Sequence, residues 1–307
     1  MFQISGGIVR AQQTRGKYRL GLGGFLLIAF GLSWLGALPM VLGSWLDAGS
    51  PAQWRALVGA LAPLQLLMFF GALIATVVAV LVNYGRGGMR ELLGAIFRWR
   101  VRAWWYLLVL TVPGLIAMAA AVGSRWMDPS LPPFSLQGAA LMNVLQIFGV
   151  YLLLNTEEIA WRGYVLPQLQ ARMRPLQANL LLATVWGVFH LPYFFIKGGH
   201  PGGFGPLTFA LMILAIGLVL GAAFNATRGS ILICHLLHQS LNAWTEGLRL
   251  FPAMNDGSLW PVRISVLGIV CAGAIAAYWL WTRGRGAGDA GRLGTESGPL
   301  ALRRSLK

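Results

Sequence analysis

The sequence predicts an all-α, polytopic membrane helix bundle of about eight transmembrane helices, with the N- and C-termini cytoplasmic. Three observations carry that expectation. Of the 307 residues, 57% are hydrophobic and only 11% charged, where a soluble domain carries about a quarter charged residues. Apolar stretches close to the ~20 residues that a bilayer core requires recur along most of the chain. The basic residues between those stretches fall mostly on one side.

The expected spans are 21–45, 57–82, 103–122, 137–157, 178–196, 206–226, 230–249 and 264–282. Backbone in hydrocarbon must satisfy its own hydrogen bonds, and no segment alternates polar with apolar as a barrel strand does, so the spans read as helices. The first apolar stretch, Gly21 to Leu46, exceeds the about 7–15 residues of a signal-peptide core and is expected to be retained. With the N-terminus inside, all of the 24 basic residues except Arg55, Arg125, Lys197, Arg249 and Arg263 fall in inside segments. The net charge of +15 is therefore a topology signal and an attraction to anionic lipid, and no nucleic-acid partner is expected. Cys234 and Cys271 both fall inside spans and build neither a zinc spacing nor a disulfide framework.

No linker separates folded domains. Residues 1–19 and 284–307 read as basic cytoplasmic tails. Residues 20–135 hold the N-terminal membrane helices, with an interfacial helix near 86–102 where arginines mix with Leu, Ile, Phe and Trp. Residues 136–250 hold the helices with unusual polar residues, and 251–283 the last span. His200, in the loop 197–206, reads as solvated and incidental.

Ionisable groups within or bordering the spans are Glu157, Glu158, Arg162, His190, His235, His238 and Glu246, with Asn242 as an uncharged companion. Such residues cost a few kcal/mol each to insert, so they mark functional sites by default. Glu158 and Arg162 are four apart on a helix, in the favourable order, and pair with one another. Glu157 lies about 100° around the helix and is left without that partner. A carboxylate kept from bulk water is a useful general base. The alternative is that all three sit at the cytoplasmic interface with Arg162 snorkelling.

His190 follows Trp186 by four in an otherwise apolar helix, where a histidine can also serve as an interhelical hydrogen bonder. His238 and Asn242 share one helix face. They read either as polar glue or as two donors for a developing oxyanion. Together the residues put acid–base chemistry on three different helices, which polar glue alone does not select.

Glu157, Glu158 and Arg162 match E-E-x-x-x-R; Trp186 and His190 match aromatic-x-x-x-His; His238 and Asn242 match His-x-x-x-Asn. That ordered set resembles the CPBP family of CAAX proteases and bacteriocin-processing enzymes, also called ABI or Rce1-like intramembrane proteases. The resemblance covers roughly residues 137–247, and the stretch 217–243 is similar to the family's penultimate helix pair. Trp161 and Trp186 stand where the family more often has Phe, and His235 is an extra histidine that the motif leaves unassigned.

The resemblance implies a helical domain over 136–250 that hydrolyses peptide bonds within the membrane. By it, Glu157 activates a water with help from His190, while His238 and Asn242 stabilise the oxyanion. Glu158, Arg162 and Trp186 support the site. No cofactor is favoured, although Glu157, His190 and His238 could hold a zinc ion of the His₂Glu type with water as fourth ligand; no H-E-x-x-H is present. The expected partners are a peptide or membrane-protein substrate and the bilayer, in a bacterial inner membrane.

Two rival classes remain at this stage: a non-catalytic immunity or scaffold protein that binds a peptide in the same cavity, and an ion-coupled transporter, for which no internal repeat is found. One geometric demand follows. His190 lies about 24 Å and His238 about 15 Å from the cytoplasmic arginines along their helices, whereas Glu157 ends its span. The Glu157 helix is therefore expected to continue to about Trp161 or beyond, so that all three can meet.

Overall fold

A computed structural model describes residues 19–134, 136, 138–197, 205–251 and 257–296, with side chains up to Arg283. Among the described residues every regular element is helical. The main helices are α1 (Leu22–Ser44), α2 (Ala52–Leu61), α3 (Gln65–Ile96), α4 (Trp104–Met127), α5 (Ala139–Leu154), α6 (Glu157–Gln170), α7 (Pro175–Phe189), α8 (Pro206–Ala226), α9 (Ile231–Gly247) and α10 (Trp260–Glu296).

Six segments are long and apolar enough to cross a bilayer: α1, α2 with α3, α4, α7 with its following turn, α8 and α10. The pair α5–α6, bent by 42°, makes a seventh if counted as one span. The remaining expected span, 230–249, is α9, which has 17 residues. It carries His235, His238, Gln239, Ser240 and Asn242 in that length. Packing against α4, α5 and α8 covers much of it, so it need not be apolar all round. Large apolar side chains such as Leu27, Leu107, Leu153 and Ile275 point outward, as lipid-facing surfaces require.

Small residues let the helices approach. α1 buries Phe25, Ala29, Ser33 and Gly36 along one face, against a stripe of Gly71, Ala72, Ala75, Thr76 and Ala79 on α3. A Cβ added at Gly36 would lie 2.2 Å from the Met68 backbone nitrogen. Gly36→Val is therefore expected to lower unfolding stability in detergent by about 1–3 kcal/mol, the cost of forcing atoms into a filled contact. A denaturant titration checks this, and an unchanged midpoint would show that α1 and α3 part easily.

Asn83 of α3 ties three elements together. Its Oδ1 accepts from the Leu20 amide, and its Nδ2 donates to the Leu20 carbonyl and to the Tyr164 hydroxyl. Two residues on, Gly85 has φ +63° and ψ −155°, a conformation open to glycine and strained for other residues. The helix changes course there and continues to Ile96, within the region read as interfacial. The following segment then caps α9: the Ser230 hydroxyl donates to the Arg98 carbonyl and accepts from the Ile233 amide, while Arg98 Nη1 donates to the Arg228 carbonyl.

The decisive element is α6, buried on every side from Ala160 to Leu169. Its stretch Trp161–Val165 is π-helical, a geometry frequent at functional sites. Gly163 allows this helix to sit against Ile231 and Leu92, whose side chains would lie 2.8 and 2.9 Å from an added Cβ.

Candidate active site

A break in the chain sets the position of the first carboxylate. α5 stops at Leu154, and Asn155 and Thr156 leave helical geometry. The Glu157 amide donates to Asn155 Oδ1 at 3.2 Å, and the Thr156 hydroxyl donates to the Phe69 carbonyl at 2.8 Å, fastening the break to α3. Glu157 and Glu158 thus occupy the first turn of α6, where unpaired amides and the helix dipole favour negative charge. The helix continues past Trp161 as the sequence requires, but as a new, bent helix rather than an extension of α5.

From Glu157, α6 runs about 21 Å to Gln170, and α7 returns about 22 Å to His190. The two form a hairpin that brings Glu157 and His190 to the same end. This hairpin, rather than an extension of α5, is what lets Glu157 and His190 line one cavity. α9 supplies the third member from its middle turn, His238.

Glu158 and Arg162 are fully buried and paired, Nη1 to Oε1 at 2.9 Å. The same Oε1 accepts from His238 Nδ1 at 2.9 Å, a contact the sequence spacing did not foretell. Because a carboxylate only accepts, Nδ1 carries the proton in this pair. His238 thereby has a fixed ring orientation, with Nε2 free of hydrogen bonds among the described residues. His190 is set in the same way, its Nδ1 donating to the Trp186 carbonyl at 2.8 Å.

Trp186 joins these groups. Its indole N–H donates to Glu157 Oε2 at 2.5 Å, and the Trp161 N–H reaches the same oxygen at 3.3 Å. The Arg162 guanidinium lies 5.1 Å from the centroid of the Trp186 ring system. Both imidazoles meet Trp186 edge to face at 5.3 Å. Sequence reasoning gave the two tryptophans a packing role; they also orient the carboxylate, which phenylalanine could not do.

Glu157, His190, His238, Asn242 and Trp186 line one cavity of about 190 Å³. Asn242 Nδ2 has only a long contact of 3.5 Å, to Gln239 Oε1, so its carboxamide is scarcely committed. Glu158 and Arg162 sit behind the wall. His235 is elsewhere: its Nε2 donates to the Leu152 carbonyl at 3.0 Å and its Nδ1 accepts from Gln239 at 3.2 Å. Both ring nitrogens are occupied in helix packing, which accounts for the extra histidine. Sequence reasoning missed Tyr151 and Tyr193 in the lining and assigned no role to Glu246. Glu246 could have been found as the next step of the four-residue stripe His238, Asn242, Glu246.

Among the described residues no three His, Cys, Asp or Glu side chains converge as a metal site. Glu157 Oε2 already accepts two indole N–H groups. As placed, Glu157, His190 and His238 do not fit the zinc ligand set that the sequence left open. His200 lies outside the described residues.

Fold and site together define a membrane protein, helical throughout its described residues, with one cavity lined by carboxylate, imidazole and carboxamide groups, and the comparisons with known proteins are consistent with it. Residues 135–244 match the family model of the type II CAAX prenyl endopeptidase, Rce1-like. CAAX prenyl protease 2 of Methanococcus maripaludis is 28% identical over 102 residues, covering 31% of this chain and 38% of that relative. The match thus spans well under half of the relative's length. Over residues 135–244 the chain is thus similar to the CAAX proteases of the CPBP family. With its long apolar helices, it is an integral multi-pass membrane protein.

Proposed function

We propose that the protein is an intramembrane endopeptidase that hydrolyses a peptide bond in a membrane-associated protein or peptide. The observation that carries the reading is the single cavity shared by Glu157, His190, His238 and Asn242. Its setting is a bacterial plasma membrane with both termini cytoplasmic.

In this reading a water sits between Glu157 and His190 Nε2, and Glu157 takes one of its protons. The hydroxide oxygen bonds to the scissile carbonyl carbon, and the carbonyl electrons move to its oxygen. Asn242 Nδ2–H and His238 Nε2–H face that oxyanion. For His238 to donate from Nε2 while Nδ1–H holds Glu158, it must be an imidazolium. That state brings Glu157, Glu158, Arg162 and His238 to overall neutrality. Collapse breaks the C–N bond, and Glu157 returns its proton to the leaving amine.

The reading is metal-independent. Cleavage of quenched fluorescent peptides by the purified protein is expected to survive treatment with 1,10-phenanthroline; loss of activity restored by zinc would overturn that part. Trp186→Phe keeps the ring but removes a hydrogen bond to a charged group, worth about 1.5–3 kcal/mol. Turnover is expected to fall by about 10–150-fold, and Trp186→Phe with unchanged turnover would leave the ring only a packing role.

A further inference from the structure

The α9 stripe that bears His238 and Asn242 continues one turn further to Glu246. The Tyr151 hydroxyl, from α5, lies 3.0 Å from both carboxylate oxygens of Glu246. Both residues line the cavity that holds Glu157, and among the described residues no lysine or arginine lines it. Neither Glu157 nor Glu246 forms an ion pair among the described residues, where Glu158 takes both Arg162 and His238. The walls of the same cavity include the aromatic rings of Trp34, Tyr193, Phe209 and Phe251. Glu246 also lies beyond residues 135–244, so the family match gives it no role.

We propose that Glu246 and Tyr151 form a subsite for a cationic side chain, lysine or arginine, of the bound peptide. A half-buried carboxylate with only a neutral partner attracts a cation more strongly than one in bulk water. Tyr151 holds both carboxylate oxygens in place, and aromatic walls tolerate an ammonium or guanidinium over their faces. Along α9, Glu246 lies about 6 Å from Asn242 and about 12 Å from His238. An extended peptide advances about 3.3 Å per residue, so the cation belongs within about three residues of the scissile bond. An acidic residue there meets a cavity that already holds two carboxylates.

This assignment rests on the reading of the cavity as a peptide-hydrolysing site, and the test separates the two. Fluorescein-labelled apolar peptides carrying Lys, Gln or Glu at one of three positions on either side of a central bond are titrated onto full-length Glu157→Gln protein in detergent, with anisotropy as readout. The same peptides, in quenched form, are given to the unmodified protein. At one position Lys is expected to bind about tenfold more tightly than Gln, and Glu more weakly than both. Adding Glu246→Gln should bring the Lys-to-Gln ratio to about one, and Glu246→Asp should restore a preference for Lys.

A ratio near one in protein that retains Glu246, or a Lys preference that survives Glu246→Gln, overturns the subsite. So does a failure of every peptide to bind. Lys preference without any hydrolysis by the unmodified protein overturns the endopeptidase reading and leaves the subsite standing. Hydrolysis of Gln peptides without Lys preference does the reverse. Should Glu246→Gln elute as aggregate, Tyr151→Phe provides the second variant, with a Lys-to-Gln ratio expected below that of protein retaining Tyr151 and above about one.

Discussion

Glu157→Gln is expected to lower turnover by about 10²–10⁴-fold, the usual contribution of a positioned general base, while leaving the protein folded. The substitution is nearly isosteric. A glutamine carbonyl oxygen can still accept from the Trp186 and Trp161 indoles, which now meet on Oε2. The local shape is therefore kept, and what is lost is the charge and the ability to take a proton from water. Initial rates on quenched peptides, alongside a melting curve in detergent, separate these effects. Turnover within a few-fold of the unsubstituted protein, at unchanged melting temperature, would remove Glu157 as the base.

The second large effect concerns stability. Glu158 and Arg162 are both fully buried, and Glu158 Oε2 and Arg162 Nε and Nη2 have no hydrogen-bond partner among the described residues. Removing one charge leaves the other uncompensated in a dry interior, which costs about 3–5 kcal/mol. Glu158→Gln and Arg162→Met are each expected to show that loss by denaturant unfolding in detergent. The double variant should lose clearly less than the sum, because no buried charge is stranded. Additive losses would mean that the pair is not coupled as its 2.9 Å contact implies. Glu158→Gln also weakens the hold on His238 Nδ1, so surviving folded protein should show reduced turnover.

Much of this was legible along the chain. Hydropathy gave the helical membrane class, because a bilayer imposes a length and a composition on each span separately. The four-residue spacings named the Glu158–Arg162 pair and the His238–Asn242 face, since those contacts lie within one helix. Hydropathy drew the Glu157 helix as ending where it in fact restarts. The polar pair Asn155–Thr156 before two glutamates is a helix-start signal, outweighed in an apolar window by the leucines on its N-terminal side. The span 230–249 was drawn from its apolar residues alone, without regard to which neighbours cover its polar ones.

What the sequence alone determined is which residues are polar where lipid would reject them, and which of them share a helix face. Both follow from local periodicity and from the cost of charge in hydrocarbon. Only the tertiary structure decided which helices meet. The α6–α7 hairpin returns His190 to the level of Glu157, α9 brings His238 onto Glu158, and two indoles converge on one carboxylate oxygen. Those contacts join residues up to 80 positions apart. They are set by helix lengths, a 42° bend and the close approach of small residues, and no pattern within a single helix encodes them.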